Sequence, residues 1–141
     1  MGGAMNSELS PLSASLNVAL GGAIGAVLRY QVGLGVARLA GAGNSFPWGT
    51  LAVNIAGSLA MGVLLGWLAR GGIAAQTAET MRLLIGVGVL GGFTTFSAFS
   101  AEMVTMLHRG EAGFALGYAA ASLVAGMAAM IIGLVAAQSV Q

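Results

Sequence analysis

Residues 86–100 have the sequence GVGVLGGFTTFSAFS and are the most informative stretch of the chain. They lie in the middle of a long apolar segment, and inside a membrane every backbone polar group must find a partner within the protein. The pair Gly91–Gly92 weakens a helix, because glycine costs about 1 kcal/mol relative to alanine in a helix interior. The hydroxyl side chains that follow can pair with backbone groups that a broken helix releases. The stretch predicts either a break in the middle of a membrane helix or a continuous helix whose small residues pack against a neighbour.

The composition around this stretch indicates a membrane protein. The chain has 141 residues, of which 57% are hydrophobic and only 6% charged, whereas about a quarter of the residues of a soluble domain are charged. This excludes a soluble enzyme and an ordinary cytosolic binding domain. A membrane-spanning helix needs about 20 apolar residues, and four such spans fit the chain, at about residues 16–40, 48–68, 83–106 and 114–137.

Residue usage favours helices over a β-barrel. Alanine, leucine and glycine dominate, and no run shows the alternation of polar and apolar residues that barrel strands require. The 24 glycines fit membrane helices, where small residues let backbones approach closely. We therefore predict an all-α membrane protein, with a polar N-terminal tail at residues 1–15 and a single four-helix transmembrane domain at residues 16–137. Small pairs four residues apart predict tight helix packing at Gly21 and Gly25, Gly62 and Gly66, Gly88 and Gly92, and Gly113 and Gly117.

The arginines give no preferred orientation in the membrane. Short loops on the cytoplasmic side normally carry the excess of Lys and Arg. Arg70 and Arg82 lie on the side of the two termini, and Arg38 and Arg109 lie on the other side, while Arg29 falls within the first span. This balance of two against two predicts insertion in both orientations and makes an antiparallel homodimer possible.

Polar residues follow one face of two helices. Thr50, Asn54 and Ser58 are four residues apart in the second span, and Tyr118 and Ser122 are four apart in the fourth. Residues at this spacing share a helix face. They either form hydrogen bonds between helices, which is common in membranes, or line a pathway for a polar ligand.

The charged and aromatic residues favour a small anion over a cation as that ligand. Phe96 and Phe99 are three residues apart, so they share a helix face, and hydroxyl residues are interleaved with them in the sequence. The edge of an aromatic ring is positive. Lipid contact or core packing is the alternative for these two rings. Cation pathways are usually lined by acidic residues, but the only acid within the four spans is Glu102, near a helix end. The deepest charge is the cation Arg29.

Three segments resemble the Fluc-type (CrcB-like) fluoride channels: residues 22–30 (GAIGAVLRY), 49–58 (GTLAVNIAGS) and 91–99 (GGFTTFSAF). The resemblance covers about residues 16–137. It implies a dual-topology antiparallel homodimer with two fluoride pathways and a third helix that is broken at its middle. It also implies passive export of cytoplasmic fluoride across the plasma (inner) membrane of a microbe, which lowers fluoride toxicity.

The resemblance also implies roles for single residues. Phe96 and Phe99 would be pore-lining rings, and Asn54 would donate a hydrogen bond to fluoride. The other residues predicted along the fluoride pathway are Tyr118, Ser122, Thr95, Ser97 and Thr50.

A structural sodium ion at the dimer interface is a further implication. Gly91 and Thr94 would offer backbone carbonyls to it. Arg29 and Glu102 receive no definite role. Gly126 departs from the family pattern, in which the polar face of the fourth helix often carries another hydroxyl.

Two other functions remain as alternatives. A small dual-topology multidrug exporter would need an intramembrane acid, for which Glu102 is the sole candidate. A non-transporting scaffold subunit would explain the glycine pairs but not the hydroxyl and phenylalanine face. An enzyme is not expected, because the chain has no cysteine and His108, the single histidine, falls in a loop. A net charge of +1 offers no basic patch for nucleic acid.

Overall fold

The computed structural model describes residues 9–41 and 43–140, and within them every regular element is helical. Four helical runs are long and apolar enough to cross a membrane, at residues 11–40, 48–69, 75–108 and 112–139. The predicted all-α fold with four membrane-capable helices is therefore confirmed. The elements are α1 (Pro11–Ala40), α2 (Trp48–Ala69), α3 (Ala75–Met81), a π-helix (Arg82–Leu90), α4 (Gly91–Phe93), α5 (Phe96–His108) and α6 (Ala112–Ser139).

The first helix begins earlier than the sequence analysis placed the first span. Ser10 caps it, since its side-chain oxygen accepts a hydrogen bond from the backbone N–H of Ser13. Pro11 occupies the first turn, where its missing N–H costs nothing. Residues 11–15 of the predicted tail are consequently helical, and residues 1–8 of that tail lie outside the described residues.

The third span also begins earlier, because α3 starts at Ala75 and runs directly into the π-helix. A π-helix is rare, since its wider turns close i→i+5 hydrogen bonds. Three of its residues, Gly86, Gly88 and Leu90, are buried. The apolar pattern did not indicate the earlier start, because residues 75–81 (AQTAETM) are largely polar. It also does not distinguish π-helical from α-helical turns.

Glycines allow close backbone contact in two pairs of helices, namely α1 with the π-helix and α2 with α6. Along α1, a Cβ atom on Gly21 would collide with the Leu84 carbonyl, and one on Gly25 with the Val89 carbonyl. Along α2, a Cβ on Gly62 would collide with the Met130 carbonyl of α6. The tight packing predicted for three of the four glycine pairs is confirmed. The fourth prediction is wrong, because nothing lies within 4 Å of a Cβ built at Gly113 or at Gly117.

The third run changes neighbour at Thr94 and Thr95. The π-helix and α4 pack against α1, whereas α5 packs against α6. Between them, Thr94 (φ −78°, ψ 159°) and Thr95 (φ −149°, ψ 124°) have extended backbones. Gly91 and Gly92, the pair expected to weaken the helix, are themselves helical. Gly92 instead allows close approach, since a Cβ there would press on the backbone of Gly22.

Candidate functional site

Asn54 links α2 by two hydrogen bonds to Thr95, one of the two extended residues between α4 and α5. Its side-chain oxygen accepts a hydrogen bond from Thr95 N (2.8 Å), and its side-chain nitrogen donates one to Thr95 O (3.0 Å). A carboxamide nitrogen carries two N–H donors, so this exchange leaves one donor for another partner. Asn54 therefore both fixes the backbone at Thr95 and retains the capacity to donate to an anion.

The same contacts change the hydrogen bonding of two backbone carbonyls. In a continuous α-helix, Thr95 N would donate to Gly91 O and Ala98 N would donate to Thr94 O. Thr95 N donates to Asn54 instead, and Ala98 N donates to Thr95 Oγ1 (3.2 Å). The carbonyl oxygens of Gly91 and Thr94 thus lack their helical donors. Carbonyl oxygens in this situation are ligands for a hard cation such as Na⁺.

Glu102 lies between two hydroxyl donors. Thr50 donates to one of its carboxylate oxygens (2.6 Å), and Tyr118 donates to the other (2.7 Å). Tyr118 is fully buried and Glu102 is half-buried. This role of Glu102 could not be predicted, because the three residues come from three different helices. The one signal for it was the position of Thr50, which shares the helix face of Asn54.

A row of aromatic rings runs beside this carboxylate. Ring centroids are 5.8 Å apart between Phe96 and Phe99, 5.0 Å between Phe99 and Tyr118, and 5.5 Å between Tyr118 and Phe46. The row ends at Trp48, 4.5 Å from Phe46. Phe46, which precedes α2, was not among the predicted pathway residues, yet its ring meets Tyr118 edge-on. At the opposite end, Phe96 is 79% exposed.

A cavity of about 340 Å³ brings most of the predicted residues together. The Ser122 hydroxyl there is buried and has no hydrogen-bond partner among the described residues. Buried polar groups are normally paired, so this hydroxyl is available to a bound ion. The cavity is lined by eight of the residues that the sequence patterns and the resemblance pointed to, namely Asn54, Ser58, Gly91, Thr94, Thr95, Phe96, Phe99 and Ser122.

A second cavity, of about 710 Å³, lies on the other side of Thr95. Thr50, Ser97 and Arg29 line it together with Thr95. Among residues 9–41 and 43–140, one ion pair is formed, between Arg82 and Glu79 (3.7 Å). Because no nearby carboxylate neutralises Arg29, its charge favours an anion in this cavity.

The remaining predicted residues, Tyr118 and Glu102, border these two cavities without lining them. Tyr118 lines neither of them. Glu102 lines a smaller cavity of about 290 Å³, together with Thr50 and residues of the segment that precedes α2. The described residues contain no group of three or more His, Cys, Asp or Glu side chains that could hold a metal ion.

Comparison with known proteins shows what the chain is related to. Residues 16–134 match the family described as "CrcB-like protein, Camphor Resistance (CrcB)". A protein of Novosphingobium aromaticivorans is 54% identical over 123 residues, covering 87% of this chain and 94% of that protein. A protein of Hyphomonas neptunium is 56% identical over 119 residues, covering 84% and 91%. Both bear the name "Fluoride-specific ion channel FluC". The resemblance seen in the sequence is confirmed, and the chain belongs to the CrcB-like family of multi-pass membrane proteins.

Proposed function

We propose that this protein is a fluoride-selective ion channel that lets cytoplasmic fluoride leave the cell passively and so lowers fluoride toxicity. Relatives that share about half of its residues bear the name of a fluoride-specific channel. The function is that of an ion channel and not of an enzyme. The multidrug exporter has no support from these relatives, and the carboxylate it would need is already bound by Thr50 and Tyr118.

The observation that carries the proposal is the unpaired Ser122 hydroxyl in the 340 Å³ cavity. Ser122 offers an O–H donor, Asn54 offers a remaining N–H, and the rings of Phe96 and Phe99 offer positive edges. A bare anion in an apolar environment costs tens of kcal/mol, so several donors must act together. These groups carry no charge of their own, and an anion can therefore bind and leave again.

The two cavities that meet at Thr95 supply a route for the ion. Fluoride would enter the 710 Å³ cavity, where Arg29 attracts it and Thr95 and Ser97 offer hydroxyls. It would then pass Asn54 into the 340 Å³ cavity. Fluoride is small and forms short hydrogen bonds, so a narrow passage with a few fixed donors favours it over the larger chloride ion.

The working unit in this proposal is an antiparallel homodimer in the plasma (inner) membrane. Phe96, a predicted pore-lining ring, is 79% exposed in the single chain, and a second copy would cover it. The balance of arginines on the two sides permits both orientations. Each dimer would hold two pathways, with residues of both copies along them.

A structural sodium ion would complete this dimer. In this proposal the third span is broken within the membrane, and the carbonyls of Gly91, in α4, and of Thr94, just after it, would bind the ion, because both lack their helical donors. One chain offers too few oxygens for a sodium ion, and a second copy would supply the rest. The positive charge of the bound ion would offset part of the cost of burying an anion nearby.

Fluoride efflux from lipid vesicles tests the proposal. Vesicles that contain only this purified protein are loaded with potassium fluoride, and valinomycin is added so that potassium carries the compensating charge. A fluoride electrode follows the release, and parallel vesicles with chloride report selectivity. Rapid fluoride release without chloride release supports the channel. Absence of fluoride release from well-folded dimers would contradict it and would leave the scaffold subunit as the better alternative.

A further inference from the structure

The 340 Å³ cavity continues along α6 into a third cavity, of about 370 Å³. Ser58 and Ser122 line both cavities, as do Leu123 and Met130. A ligand at Ser122 is therefore next to this third cavity. The third cavity extends further along α6, past Gly126 to Ile131.

Gly126 leaves a space in the wall of this third cavity. It lies four residues after Ser122, so it continues the same face of α6. A Cβ atom built at Gly126 would lie 3.6 Å from the Ser58 hydroxyl, and no other atom would be within 4 Å. The Ser58 hydroxyl of α2 thus borders the space that a side chain at position 126 would occupy.

Few polar groups are present along this section. Besides Ser58 and Ser122, the side chains that line it are those of leucine, isoleucine and methionine. The hydroxyls of Thr94 and Ser100 donate to the carbonyl four residues earlier. The Ser58 hydroxyl forms no such bond within the described part of the chain. It is therefore free to donate to an ion, as Ser122 is.

We infer that Ser58, on α2, is a fluoride-binding residue whose hydroxyl serves the section of the pathway beside Gly126 of α6. The inference rests on the proposed channel function and assigns the donor for one section of its pathway. An anion that moves beyond Ser122 meets no other donor in this cavity. Because neutral donors of this kind hold an anion by charge-assisted hydrogen bonds, loss of the Ser58 hydroxyl should slow conduction.

The test is a rescue experiment in fluoride-loaded vesicles. Ser58→Ala is expected to lower the rate of fluoride efflux about tenfold, the effect of losing roughly 1.4 kcal/mol of stabilisation from one hydrogen bond. Gly126→Ser, combined with Ser58→Ala, is expected to restore most of the rate, because it returns a hydroxyl to the opposite wall of the same space. Thr105→Ala is the matched control, since Thr105 lines none of these cavities and donates to Ala101 O of its own helix.

A purely structural role for Ser58 predicts a different result. If Ser58 only packed α2 against α6, a second substitution in the same contact would not restore transport. Normal efflux in Ser58→Ala, or no rescue by Gly126→Ser in protein that elutes as intact dimers, would overturn the inference. These outcomes differ from failure of the channel function itself, in which the unmodified protein would release no fluoride at all.

Discussion

The Asn54 side chain forms two hydrogen bonds with the backbone of Thr95, and these bonds join α2 to the extended segment between α4 and α5. This exchange has two effects at once. It diverts the Thr95 N–H from Gly91 O, and it orients the Asn54 amide toward the cavity that also holds Phe96 and Ser122. The contact that removes the helical donor of the Gly91 carbonyl is thus also the contact that places the Asn54 amide at this cavity.

Asn54→Asp should abolish fluoride transport. The substitution keeps an acceptor for Thr95 N but removes the donor and adds a negative charge, and like charges brought together cost several kcal/mol. We expect fluoride efflux from vesicles to fall at least about a hundredfold, the equivalent of roughly 2.7 kcal/mol. Gln76→Glu makes the same chemical change at an exposed residue of α3 and should leave efflux unaltered. Substantial efflux through Asn54→Asp would exclude this residue from the pathway.

Phe96→Ile should slow fluoride efflux without disturbing assembly. Isoleucine is apolar and nearly as bulky, but it lacks the positive ring edge that attracts an anion. We expect a loss of about tenfold or more in efflux, while size-exclusion chromatography in detergent still reports dimers. Phe114→Ile is the matched control, because Phe114 is 67% exposed at the start of α6 and lines none of the described cavities. Equal effects of the two substitutions would mean that the ring of Phe96 serves only for packing.

Glu102→Gln should impair fluoride transport and leave resistance to cationic dyes unchanged. The amide has one oxygen, so it can accept from Thr50 or from Tyr118 but not from both in the present geometry. We expect fluoride efflux to fall about tenfold, because one buried hydroxyl loses its acceptor. Glu111→Gln, just before α6, is the matched control. Cells whose dye resistance depended on Glu102 would instead support the exporter.

Much of the fold could be predicted from the sequence. Long uncharged runs indicate membrane-spanning helices, and glycines four residues apart indicate close packing between such helices. The grouping of Asn54 with Phe96 and Phe99 at one cavity was expected only from the family resemblance, because helix spacing places the two rings on one face but does not relate them to a residue of another helix. The two hydrogen bonds to the Glu102 carboxylate could not be predicted, because Thr50, Glu102 and Tyr118 come together only when three helices pack. The failed prediction at Gly113 and Gly117 has a physical reason too, since small residues permit close approach but do not require it.

Removal of sodium should inactivate the channel reversibly. If carbonyls of Gly91 and Thr94 hold a sodium ion between two copies, its loss leaves buried carbonyl oxygens unpaired and weakens the dimer. We expect protein dialysed into sodium-free N-methylglucamine buffer to lose fluoride efflux, and sodium to restore it with a saturable dependence on concentration. Potassium, which is larger, serves as the control and should restore less. Full activity after exhaustive removal of sodium would contradict the structural ion.

Gly133→Ala should destabilise the packing of α2 against α6. A Cβ atom at Gly133 would collide with the Leu59 carbonyl and lie 2.9 Å from Val63 N, so the two backbones must separate. Overpacking of this kind costs about 1–3 kcal/mol, and the midpoint of thermal unfolding in detergent should fall by roughly 5 °C or more. Gly117→Ala is the matched control on the same helix, because nothing lies within 4 Å of a Cβ there. That variant should unfold at an unchanged or slightly higher temperature, since alanine favours a helix over glycine. A similar loss of stability in both variants would indicate that the second copy of the chain covers Gly117 in the dimer.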